Sequence, residues 1–143
     1  MTSPETAMGG LADRVEAATG PDPDLQYDVM TAYGYRDIYG DRLLFDKGND
    51  GYWTMWEPEG VAPLPDPLSS LDAAMTLVPL GHAFTVGQNV HHRHWVASVN
   101  YLDHDGAPAT RGCSNASATA ALALTAACLR ARAALANTTG EAQ

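Results

Sequence analysis

Residues 119–135 read TAALALTAACLRARAAL, and the fold turns on what this stretch packs against. Leu122, Ala126, Leu129 and Ala133 recur at helical spacing, with Leu124, Cys128 and Leu135 beside them, so Ala120–Leu135 is expected to be a helix with a broad apolar stripe. Thr119 is placed to cap it, and Arg130 and Arg132 fall near its end, where cations complement the helix dipole. So many alanines allow another backbone to come close. The partner is either a sheet or a second copy of the same helix.

The segments before it favour a sheet. Ala83–Gln88 alternates Phe84 and Val86, and His94–Leu102 puts Trp95, Ala97, Val99 and Tyr101 on one face, so both are expected to be strands. Val96 and Leu102 make the opposite face partly apolar, as in a sheet covered on both sides. Ser69 or Ser70 is expected to cap a preceding helix whose face is Leu71, Ala74, Met75 and Val78, ended by Pro79 and Gly81.

Nearer the start, Gly10–Ala18 is a helix candidate stopped by Gly20-Pro21. Asp22 and Pro23 open a second, with Leu25, Val29 and Ala32 or Tyr33 on its face, and the two are expected to pair antiparallel. Asp41–Phe45 and Tyr52–Trp56 flank a turn-rich Asp46–Gly51, the pattern of a hairpin. Asp46, Asp50, Gly51 and Glu57 also stand at four places of a calcium loop. Gly48 at the third place supplies no ligand, however, and Pro58 opposes an exit helix. Residues 58–67, PEGVAPLPDP, read as a connection.

The reading is an α+β layered sandwich, a small antiparallel sheet with helices packed on it. It forms one domain over 8–136: a helical pair and hairpin at 8–57 and a helix-strand-strand-helix unit at 69–136, with 1–7 and 137–143 loose. A chain of 143 residues, 45% apolar, is the right size for this.

Net charge is −9, distributed unevenly. Through Asp72 there are 14 acidic against 4 basic residues, and beyond it 3 against 4, with all five histidines in the second part. Duplex nucleic acid is disfavoured as a partner, because phosphate neutralisation needs clustered cations. A small anion held by a few groups in the back half fits. Two cysteines make no disulfide framework. No apolar run approaches the ~20 residues of a spanning helix and no leader pattern is evident, so no membrane partner and a reducing cytoplasm are expected.

Three segments carry a family resemblance: Ser70-Leu71-Asp72-Ala73-Ala74 through Leu77-Val78-Pro79, Trp95-Val96-Ala97-Ser98-Val99, and Ala118–Leu124 through Leu129–Ala134. Together with Leu11-Ala12 and Glu16–Pro21, they resemble the phage ABA sandwich domain family, over most of Leu11–Ala134. The resemblance implies a phage or prophage origin, a host cytoplasmic location and helices layered on a sheet. It transfers no catalytic residue. Members often have Thr-Pro where this chain has Thr119-Ala120, a mild capping change, and Glu-Gly-Trp where it has Leu80-Gly81-His82, which sets His82 in place of an aromatic and weakens the expectation of a shared ligand.

Two stretches could carry chemistry. In His91-His92-Arg93-His94 a strand would let His92 and His94 converge on a metal, but polar hairpin tips are commoner. Arg111-Gly112-Cys113-Ser114-Asn115 reads as a loop leading into the last helix, whose N-terminus could receive an anion at Gly112 with Arg111 as a bidentate donor and Ser114 as a hydroxyl. Plain capping is the competing reading. Cys113 could ionise there as a nucleophile, and Trp56 could stack on a flat ligand or be core.

The candidate anion-binding residues are therefore Trp56, His92, Arg93, His94, Arg111, Gly112 and Ser114, with no catalytic residue, metal or cofactor assigned. The favoured function is a non-catalytic, self-associating phage protein that binds a small anionic ligand or a host factor, such as a counter-defence sponge for a nucleotide immune signal. A structural or assembly accessory, and a metal- or Cys-dependent hydrolase, are the alternatives.

Overall fold

The computed structural model describes residues 4–20, 22–34, 36–37, 44–47, 53–57, 60–89 and 93–141, with side chains over 7–20, 22–34, 54, 64–89 and 93–136. The chain divides into two compact units, Met1–Pro21 with Pro67–Gln143, and Asp22–Asp66. This regroups the N-terminal half: the first helix belongs with the C-terminal elements, apart from the second helix and the hairpin.

In the smaller unit α2 (Pro23–Ala32) begins as its sequence dictates. Asp22 Oδ1 accepts from the N–H groups of Asp24 (3.1 Å) and Leu25 (3.2 Å), and Leu25, Val29 and Met30 are buried. Gln26, also buried, donates its amide to the carbonyls of Leu64 (3.3 Å) and Pro65 (3.1 Å). The sheet runs β1 (Arg36–Asp37), β2 (Leu44–Lys47), β3 (Trp53–Glu57), β4 (Gly60–Pro63), with β1 parallel to β2 and the others antiparallel. The expected hairpin is β2–β3, with Phe45 opposite Met55. The expected connection at 58–67 instead contributes strand β4, because its Gly60–Pro63 backbone completes the ladder of β3. Asp46 and Glu57 lie in strands rather than in a loop between helices, which removes the calcium-loop frame; Asp50 and Gly51 lie outside the described residues.

The larger unit contains α1 (Pro4–Ala17), α3 (Leu71–Met75), β5 (Ala83–Asn89), β6 (His94–Leu102), β7 (Pro108–Ser117) and α4 (Ala120–Glu141). The three strands form one antiparallel sheet in the order β5-β6-β7. β7 is the correction to the sequence reading, which left Arg111–Asn115 as a loop before the last helix. α4 packs against this sheet, α1 and α3. Every residue from Ala121 to Leu129 is buried, so the alanine-rich stripe is used within the chain and not held out for a second copy.

Gly112 shows why the alanines are there. A Cβ built on it would fall 2.5 Å from the Ala131 nitrogen and closer still to the Ala127 carbonyl oxygen. Glycine on β7 and alanines four apart on α4 let the two backbones touch. The helix ends run further than expected, to Pro4 in α1 and Glu141 in α4, into termini expected to be loose. α3 is shorter: only Ala74 of it is buried, while Leu71 and Met75 are exposed. Among the described residues no helix is long and apolar enough to cross a membrane.

Candidate functional site

The site is built by a turn before β5 and a bulge in β7. The first is the turn Pro79-Leu80-Gly81-His82, closed by the His82 N–H donating to the Pro79 carbonyl at 3.1 Å. Gly81 has φ +81°, the left-handed value a type II turn requires at its third residue, and glycine reaches it without strain. The turn delivers His82 to the head of β5, directly across the continued register from Tyr101 on β6.

The second is a bulge in β7. Val99 pairs with Gly112 and Asn100 with Thr110, so Arg111 is an extra residue with no opposite number. Bulges re-aim side chains. Here the Arg111 guanidinium carbon lies 4.0 Å from the centroid of the Tyr101 ring, and its Nε donates to His82 Nε2 at 3.0 Å. The imidazole and phenol rings sit 5.8 Å apart, tilted by 46°.

His82 can accept at Nε2 only if that nitrogen carries no proton. The proton then belongs on Nδ1, which lies 3.2 Å from the Leu80 carbonyl and donates to it. One neutral tautomer thus satisfies both contacts and anchors the guanidinium to the backbone of the turn. Among the described residues no carboxylate pairs with Arg111, and its two terminal nitrogens make no hydrogen bond.

Beside this cluster is a concavity of about 460 Å³ lined by Gly81, His82, Ala83, Asn100, Tyr101, Leu102 and Pro108. Its size falls in the range of small-molecule pockets. Arg111 touches two of its walls without lining it. Leu102 is 68% exposed and Leu80 fully so, which gives this end of the sheet an apolar margin. Asn100 is already engaged: it donates to the Ser98 hydroxyl (3.1 Å) and accepts from Thr110 (3.1 Å).

Of the residues proposed from sequence whose side chains are described, only Arg111 belongs to this cluster. Gly112 faces α4 and is closed to any ligand. Ser114 is buried, 2.9 Å from the Ser117 hydroxyl and hydrogen-bonded to Glu16. Arg93 is exposed in the turn before β6, at φ +57°, and His94 opens the strand, also exposed. His94 and Asn100 are six positions apart along β6, which places Arg93 and His94 roughly 20 Å from the Arg111 end. Arg93 and His94 therefore do not converge with Arg111 within one chain. His91 and His92 lie outside the described residues, as does the side chain of Trp56, whose backbone is in β3.

Cys113 is exposed within β7, seven positions before α4 begins, whereas burial pushes the Cys128 thiol up to about 12. Among the described residues no three His, Cys, Asp or Glu side chains are grouped to hold a metal ion.

Sequence reasoning missed His82 and Tyr101. Pro-Leu-Gly-His was legible as a turn, but nothing local said that Tyr101 and a bulged arginine would lie across from it. No protein-family model, curated protein or solved structure matches the chain.

Proposed function

We propose that this chain is a non-catalytic, phage-encoded protein of the host cytoplasm that binds a small anionic ligand at Arg111. One observation carries the reading. The guanidinium is immobilised by neutral partners, His82 and Tyr101, and no carboxylate among the described residues neutralises it. A half-buried cation held in place without a counter-ion is prepared to receive one, since charge-assisted hydrogen bonds from a fixed fork lose little entropy on binding. The phage origin rests on the resemblance of residues 70–79, 95–99 and 118–134. Sequestering a nucleotide immune signal is the form of the reading that this origin suggests.

Self-association belongs to the same proposal, but its support moves from α4 to the edge of the sheet. Among the described residues β5 pairs with β6 alone, and Ala83–Asn89 has no charge or proline to discourage strand addition.

Calorimetric titration with sulfate, ADP-ribose and a cyclic dinucleotide tests the reading. Binding to the wild-type chain that disappears in Arg111→Gln supports it. Absence of binding by every anion, or binding indifferent to the substitution, overturns it.

A further inference from the structure

We infer that β5 is the seam of an antiparallel dimer in which the partner's Arg93 stands beside the Arg111 cluster, an inference that rests on the anion-binding and self-association reading above. The two edges of the sheet differ. Along β7 the Cys113 carbonyl accepts from Arg130 and the Asn115 N–H donates to Glu16, so side chains occupy that edge. Along β5 the described residues place no strand beyond β6. A sheet blocked at one edge and open at the other closes at two copies, through an isologous twofold contact.

Three observations on β5 favour a second copy as the occupant. Gly87 sits inside the strand without a local reason: its φ is not positive, and a Cβ built on it meets nothing within 4 Å. Glycine weakens a strand, and one that its own chain does not require suits the close approach of another backbone. Phe84 and Val86 stay half-buried, whereas Val99 of β6 and Gly112 of β7 are buried, so the apolar layer under α4 runs out at the β5 edge. Finally, Ala83–Asn89 carries no charge that would meet itself across a twofold. Pairing about Val86 sets Val86 against Val86, Phe84 against Gln88 and Thr85 against Gly87, which continues the core face of one chain into that of the other.

That register fixes what meets at each end of the seam. Ala83 lies across from the partner's Asn89, about 4.8 Å away. The Arg93 N–H donates to the Asn89 carbonyl at 2.8 Å, so the partner's Arg93 arrives with its Asn89. Two strand spacings put it roughly 10 Å from His82, half the separation found within one chain. Each end of the dimer then joins the Arg111 guanidinium of one chain, held by His82 and Tyr101, to the partner's Arg93, exposed in its turn. An anion at Arg111 lies in the field of both.

Sedimentation, disulfide trapping and sulfate titration of the full chain test the inference. The wild type should pass from monomer to dimer with concentration. Gly87→Lys, which sets a charge on the seam and clashes with nothing in its own chain, should stay monomeric with wild-type circular dichroism. In a Cys113→Ser background Val86→Cys should oxidise to a linked dimer, because a strand position paired with itself lies at about the 5.5 Å a disulfide spans. Thr85→Cys should not, since Thr85 meets Gly87. Arg93→Gln should weaken sulfate binding about two- to threefold at low salt in the dimer and leave the Gly87→Lys monomer unaffected. A chain that is monomeric at every concentration, a dimer that survives Gly87→Lys, equal trapping of the two cysteine variants, or dimer binding indifferent to Arg93→Gln overturns the inference. Where sulfate binding still depends on Arg111 in such a case, the anion reading stands without it. A dimer whose titration ignores Arg111→Gln overturns both.

Discussion

Two arginines of the larger unit occupy opposite electrostatic situations. Arg130 on α4 donates through Nη1 to Glu16 (2.9 Å) and to the Cys113 carbonyl (2.8 Å), and through Nη2 to Asp13 (2.8 Å). It ties α4 to α1 and to β7 in one clasp. Glu16 completes it by accepting from the Asn115 N–H at 2.9 Å, so backbone groups of β7 are met by side chains instead of another strand. Burial raises the Glu16 carboxyl, but the bonds from Arg130, Asn115 and Ser114 and the charge of Arg130 outweigh it and hold its pKa below the ordinary value. Arg111 has the same charge and the same β7 neighbourhood, yet among the described residues only a histidine and a tyrosine for company. A cation between two carboxylates has its counter-charge already and serves the fold. One held by neutral groups keeps its capacity for an anion.

The contrast can be broken most forcefully at Gly112, which lies next to Arg111 and under α4. Gly112→Val should force the β7 and α4 backbones apart and cost about 3 kcal/mol or more, read as a large drop in Tm; a melting temperature close to wild type would refute the close approach. Next, Arg130→Ala should cost about 2 kcal/mol by leaving Glu16 and Asp13 without their donor, while sparing anion binding at Arg111. A loss of binding with no loss of stability would reverse the assignment.

Acid should act on the clasp in the same sense. Because the Glu16 pKa is lower folded than unfolded, its contribution is present above the ordinary glutamate value of about 4.3 and disappears as pH falls through the folded value. Urea midpoints measured from pH 6 down to pH 3 should fall less steeply in Glu16→Gln than in the wild type. The smallest effect on stability is expected from Arg111→Gln, within about 1 kcal/mol for an exchanged cation–π contact, together with the largest effect on ligand. A destabilisation matching that of Arg130→Ala would make Arg111 a second structural clasp.

Several elements were legible because their causes are local. Asp22 before Pro23 specifies a helix start, and Ser70 and Thr119 cap as read, accepting from Ala73 and Leu122 at 3.2 Å each. The alternation that buries Ala97 and Val99 lies within one strand, and the apolar stripe of α4 lies within one helix. The alanines of α4 correctly announced a close backbone approach, although not what would approach. β7 was not legible in the same way. PATRGCSNAS contains proline, glycine and several small polar residues with weak strand preference, and it becomes a strand because β6 offers an open ladder and α4 covers it.

That one nonlocal decision redistributed the site. Gly112, read as an opening for an anion, became the floor beneath α4; Ser114 went inward to Ser117 and Glu16; Arg111 was turned out by the bulge toward His82 and Tyr101. By itself the sequence determined which segments would be helix and which would carry an apolar face, because backbone preference and periodicity act over a few residues. Only the tertiary structure decided which arginine would be neutralised, because that depends on carboxylates and rings brought from 10 to 117 positions away by pairing and packing.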